Sequence, residues 1–98
     1  LAVDVGLYHG EGTGTADGTV IDADLFASAI TTLQSANLVG VEILHESGVV
    51  TLTDTKKALW ELGGLPSCPN GHLAIGINVT AAAATAAAGT LRLLVEYI

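Results

Sequence analysis

Apolar and polar residues alternate with a period of two in three stretches of the chain. Leu1, Val3, Val5 and Leu7 interleave with Ala2, Asp4, Gly6 and Tyr8, and Leu73, Ile75, Ile77 and Val79 with Ala74, Gly76, Asn78 and Thr80. Near the end, Leu91, Leu93, Val95 and Tyr97 interleave with Thr90, Arg92, Leu94, Glu96 and Ile98. Successive strand side chains point to opposite faces, so each stretch predicts a strand with one buried face. A fourth strand is expected at residues 38–45, where Val39, Val41 and Ile43 share a face and Leu38 and Leu44 blur the alternation. The alanine-rich residues 81–89 are too few for a self-sufficient helix, since isolated helices under about 12 residues are marginal in water. They are expected to form a hairpin tip that pairs residues 73–80 antiparallel with 90–97.

A different period governs two connecting segments. Leu25, Phe26, Ala29, Ile30 and Leu33 recur at helical spacing, with Asp22 or Asp24 positioned as an N-cap, which predicts a short helix. A second helix is expected over residues 54–62, with Asp54 as cap, Ala58, Leu59 and Leu62 as an apolar stripe and Gly63 as the stop. Trp60, the single tryptophan, is expected to lie over the sheet as a core lid. Residues 9–18 hold four glycines among small polar residues and read as a surface loop. In the connection at 65–71, Asn70-Gly71 suits the positive φ angles of a hairpin-type turn.

These elements define a mainly β class, a small antiparallel β-sandwich or open barrel with one or two short helices in its connections. The 98 residues are expected to form a single β-rich domain. Leu1 is already in phase with a strand and the chain has no methionine, so part of the native N-terminus is expected to lie upstream of Leu1. Long sheet edges would need cover from a neighbour, as in a subunit of an assembly.

Charge narrows the choice of partners. Three Lys and Arg against ten Asp and Glu give a net charge of −7. Nucleic-acid binding relies on clustered cations, and Lys56, Lys57 and Arg92 are the whole supply, so DNA and RNA are not expected partners. No apolar run reaches the roughly 18 residues of a membrane helix, and the chain is expected to be soluble. Cys68 is the lone cysteine and cannot form an intrachain disulfide.

Catalytic patterns do not assemble, and neither a catalytic residue, a cofactor nor a bound metal is expected. Gly10-x-Gly12-x-Gly14 lacks the spacing and the following helix of a dinucleotide fingerprint. Asp17, Asp22 and Asp24 do not follow the alternating-ligand pattern of a calcium loop and read as turn and cap residues. His9, His45 and His72 are scattered relative to zinc motifs, and Cys68 has no basic neighbour to activate it. With four aromatic residues in all, a glycan platform built on Trp60, Tyr8 and Tyr97 would be sparsely supplied.

Several segments together resemble a known family. They are Val3-Asp4-Val5-Gly6-Leu7-Tyr8 with the glycine-rich loop after it, residues 20–29, His45-Glu46-Ser47-Gly48-Val49, residues 57–65 and residues 91–98. This arrangement is similar to small structural proteins encoded beside head genes in tailed bacteriophages. The resemblance implies a non-enzymatic virion protein, first in the host cytoplasm and then on the head exterior. A capsid decoration or cement role would make the major capsid protein or other virion proteins its partners, with homo-oligomeric or lattice-bound copies. A tail, neck or head-fibre subunit is the alternative within that setting, and a small glycan- or ligand-binding β-sandwich module the alternative outside it.

Overall fold

A computed structural model describes residues 1–12, 18–31, 40, 42–69, 71–82 and 91–95. Val3, Val5 and Leu7 are the buried apolar side chains of β1 (Ala2–His9), as their alternation requires, and Gly6 between them is buried too. A strand with a buried face must have its backbone groups paired, because an unsatisfied buried N–H or C=O costs about as much as a lost hydrogen bond. Two neighbours supply that pairing. β2 (Val20–Ile30) and β3 (Leu73–Ala81) flank β1 on either side, both antiparallel, in the order β2-β1-β3. The structure is thus mainly β, with its short helices in a connection.

The two ladders differ in regularity. Along β3 the register runs evenly from Val3↔Val79 to His9↔Leu73, with one irregularity at Ala2↔Ala81, where the Thr80 hydroxyl donates to the Ala2 carbonyl at 3.2 Å. Along β2 it breaks repeatedly, and between Val5↔Ala27 and Leu7↔Asp22 several β2 residues oppose Gly6 alone. Extra residues in one strand are a bulge, which bends the chain and breaks the alternation of faces. Leu25, Phe26 and Ala27 are accordingly buried in succession. The bulged backbone descends onto Gly6, where a Cβ would overlap the carbonyl groups of Asp22 and Ala23.

The other layer comes from the connection between β2 and β3. Its Val50 side chain is buried with Val5, Leu7, Leu25, Phe26 and Ala27, and Ile43, Leu59 and Leu62 pack around that cluster. Each large apolar side chain so buried contributes about 1.5–3 kcal/mol. The Leu59 and Leu62 contacts come from α1 (Leu59–Leu62), which follows a 3₁₀ helix at Leu52–Lys56. Two adjacent glycines end α1 for separate reasons. Gly63 lies against the sheet, where a Cβ would come within 2.9 Å of Ile21 Cγ2 and Leu7 Cδ2. Gly64 adopts φ +78°, its N–H donates to Glu61 O at 3.0 Å, and Leu65 N–H donates to Trp60 O at 3.1 Å. These paired bonds form a Schellman cap, whose left-handed residue favours glycine.

Four expectations need correction. The helix expected from Asp22 or Asp24 to Leu33 is strand β2 over residues 20–30, because the bulge puts neighbouring residues on one face and so imitates helical spacing. Asp22 and Asp24 are strand residues, not caps. The strand expected at 38–45 is a pair of turns in its described part, with Glu46 N–H bonded to Ile43 O and Gly48 N–H to His45 O; Leu38, Val39 and Val41 lie outside the described residues. The hairpin of 73–80 with 90–97 is replaced by β3 pairing with β1, while residues 91–95 join no ladder. Thr90, Glu96, Tyr97, Ile98 and most of the alanine tip lie outside the described residues. The helix expected over 54–62 forms as two shorter pieces, with Thr51 rather than Asp54 at the first N-cap.

The two kinds of glycine constraint are separable by experiment. Gly6→Ala, which collides with backbone, is expected to lower stability by about 3 kcal/mol or more, and Gly64→Ala by only about 1 kcal/mol, the cost of a left-handed alanine. Urea denaturation checks the order, and equal losses would mean that β2 does not close onto Gly6.

Candidate interaction surface

The two outer strands finish their edges in opposite ways. On the β2 side, the bulge leaves backbone groups without strand partners, and side chains take them. Ser28 N–H donates to the Glu46 carboxylate at 2.8 Å, and Ala29 N–H to the Asp4 carboxylate at 2.7 Å. Ser47 bonds both carbonyls before them, its hydroxyl to Leu25 O at 2.6 Å and its N–H to Phe26 O at 2.9 Å. Ala29 adopts φ +49°, a conformation disfavoured for a residue with a Cβ and held here by the bond from its N–H to Asp4. Bulging, charge and a covering loop are the devices that keep a sheet edge from pairing further.

Among the described residues β3 has little such protection, its ladder being irregular only at the Ala81 end. Its nine residues include no charge and no proline, and among the described residues no strand lies on its outer side. Leu73 and Ile75 pack against the core cluster, but toward the other end of the strand the cover stops. Ile77 is 40% exposed and Val79 55%, although both share the core face with Val5 and Val3. Residues 91–95 add a second apolar surface, with Leu91, Leu93, Leu94 and Val95 all exposed and Leu94 at 78%. Opposite the core face, the β1–β3 ladder carries small and polar pairs such as Asp4–Asn78 and Gly6–Gly76. The Tyr8 ring there lies so close over Gly76 that a Cβ would meet Cε1 at 2.5 Å.

The residues with chemical potential are dispersed. His9 and His72 come near one another at the end of the β1–β3 ladder, where Gly10 N–H donates to His72 O at 2.7 Å and His72 N–H to Glu11 O at 2.8 Å. His45 sits elsewhere, with its Nδ1 2.7 Å from Val50 O. Among the described residues no three His, Cys, Asp or Glu side chains gather around a metal-sized space. Asp22 and Asp24 adjoin through the 3.4 Å bond from Asp24 N–H to Asp22 Oδ1, and burial together with Asp24 raises the Asp22 carboxyl above its ordinary range. Asp17, Gly14 and Asn70 lie outside the described residues. Cys68 is exposed and free. Trp60 is half-buried, and it is Leu59 and Leu62, not the indole, that pack on the core cluster. Sequence reasoning missed Asp4, Glu46 and Ser47, whose roles depend on an irregularity in β2 that no motif announces.

One ion pair stands out in the covering connection. Lys57 Nζ lies 2.8 Å from Asp54 Oδ1, and Thr51 donates both its N–H and its hydroxyl to Asp54 Oδ2 at 3.0 Å. The Lys57 hydrogen bond, then those from Thr51, hold the Asp54 carboxyl at about 2, and Asp54 in turn raises the Lys57 ammonium.

Comparison of the chain with protein-family models, with curated proteins and with solved structures returned no match.

The Asp54 cluster gives a pH dependence with a definite sign. A carboxyl that binds its proton less tightly folded than unfolded stabilises the fold above its ordinary pKa of 3.8 and ceases to do so as pH falls through about 2. Carbon-13 NMR titration is expected to place the Asp54 midpoint near 2, and Lys57→Gln to move it upward. A wild-type midpoint near about 4 would show that the ion pair does not form in solution.

Proposed function

We propose that this protein is a non-enzymatic virion structural protein, a capsid decoration or cement subunit that binds the head lattice and reinforces joints between capsomers. The observation that carries the reading is the exposed apolar segment at residues 91–95, where Leu91, Leu93, Leu94 and Val95 lie in water in a chain of net charge −7. Clustered exposed apolar side chains mark contact sites, whereas the same residues scattered singly would need no explanation. The acidic balance disfavours adhesion to the packaged genome and leaves protein as the favoured partner. The resemblance of residues 3–8, 20–29, 45–49, 57–65 and 91–98 to small phage head-associated proteins supplies the setting.

The physics of a lattice-bound subunit suits so small a surface. A stable contact buries about 800 Å² on each partner. A subunit touching several capsomers at once gains by effective concentration, so each separate contact can be weaker than that. The major capsid protein is the partner this arrangement calls for.

Cryo-electron microscopy of the intact particle is the direct test, with density expected at capsomer junctions; density confined to tail or neck would move the role there. In a reconstitution on undecorated heads, Leu94→Asp is expected to weaken binding about tenfold or more, the effect of losing one apolar anchor. Its thermal unfolding should stay within a few degrees of wild type, since Leu94 is 78% exposed. Full occupancy by both Leu94→Asp and Leu91→Asp would remove this segment from the interface.

A further inference from the structure

The outer edge of β3 has features that select a particular occupant. An unprotected edge strand offers alternate N–H and C=O groups to any extended chain. Leu73–Ala81 is uncharged throughout, whereas β2 carries Asp22 and Asp24 and has bulge groups taken by Glu46 and Ser47. For two copies of a chain of net charge −7, most approaches bring acid toward acid. Approach along β3 brings nine neutral residues against nine neutral residues.

We propose that β3 pairs with β3 of a second copy, antiparallel about a two-fold axis, joining two three-stranded sheets into one of six strands. Full overlap of the nine-residue strand places its midpoint, Ile77, opposite Ile77 of the partner copy. Ile75 then faces Val79 across the axis, and Leu73 faces Ala81. Leu73, Ile75, Ile77 and Val79 lie on the face that holds Val3, Val5 and Leu7, so the half-covered Ile77 and Val79 extend one core into the next. A two-fold contact is self-complementary and closes at two copies, which prevents the open edge from propagating a fibre. The other face fits equally well, since Ala74, Gly76, Asn78 and Thr80 place no bulk or charge across the seam. A strand-to-strand contact is small beside the 1,200–2,000 Å² of a standard interface, taken as a rough range, so the dimer should be concentration-dependent. This inference does not rest on the virion reading, which uses residues 91–95.

Sedimentation velocity across micromolar to millimolar concentration tests it with the wild-type chain and two variants, Ile77→Lys and Ile77→Glu. The wild type is expected to pass from monomer to dimer. Each variant alone should remain monomeric, because like charges would face each other at the axis. An equimolar mixture of the two should recover the dimer as a heterodimer, while circular dichroism shows that both variants are folded. The recovery distinguishes loss of an interface from loss of the fold. A wild type that is monomeric at millimolar concentration would overturn the proposal, as would a dimer that survives in each variant alone. A dimer indifferent to Ile77 but abolished by Leu93→Lys would assign the edge to residues 91–95 of the second copy instead.

Discussion

The constraint on which this fold depends is the position of β1 between two partners. Val5 and Leu7 belong to the small core cluster and Val3 is buried farther along the same face, and their backbone must be paired on both sides to be buried there. β3 meets the demand with a regular ladder. β2 meets it with a broken one, because Gly6 lets the neighbouring backbone come closer than any side chain would allow. Irregularity on one side is answered by side chains that take the freed backbone groups, while on the other side no further strand follows β3 among the described residues.

The closed edge is maintained by carboxylates acting as surrogate strand partners. Asp4 and Glu46 accept N–H groups that a bulge would leave unsatisfied, and Ser47 supplies donors for the carbonyls beside them. Their negative charges thus have a structural use as well as a contribution to the acidic surface. The covering connection employs the same chemistry on a smaller scale. Thr51 and Lys57 converge on Asp54 at the start of the short 3₁₀ helix, and Ala58 N–H donates to the Glu61 carboxylate at 3.3 Å as α1 begins.

The sequence was legible wherever one residue followed another without interruption in a ladder. Alternation located β1 and β3 to within a residue or two, and the stripe of Leu59 and Leu62 with Gly63 behind it located the covering helix. It misled at β2, where consecutive burial of Leu25, Phe26 and Ala27 broke the two-residue period. Residues 91–95 show the converse. Their alternation satisfies the pattern of a strand, yet a pattern describes one side of a contact and cannot supply the partner strand that makes it a ladder. The surface was legible in composition, since a neutral β3 in a strongly acidic chain is visible in the letters, but its place at the edge required the topology.

The pairing of β1 with β3 has a consequence for how the molecule is made. It joins residues 2–9 to residues 73–81, so in a nascent chain emerging from the ribosome that ladder cannot close until the roughly seventy residues between the starts of its strands have been made. Contacts so remote in sequence slow folding, because loop closure is met before any native contact rewards it. Until then the apolar strips of both strands are open to other chains. Acidic residues spread through the intervening segment give newly made copies a mutual repulsion during that interval, and the charge that shapes the finished surface also lowers the risk of misassembly before there is one.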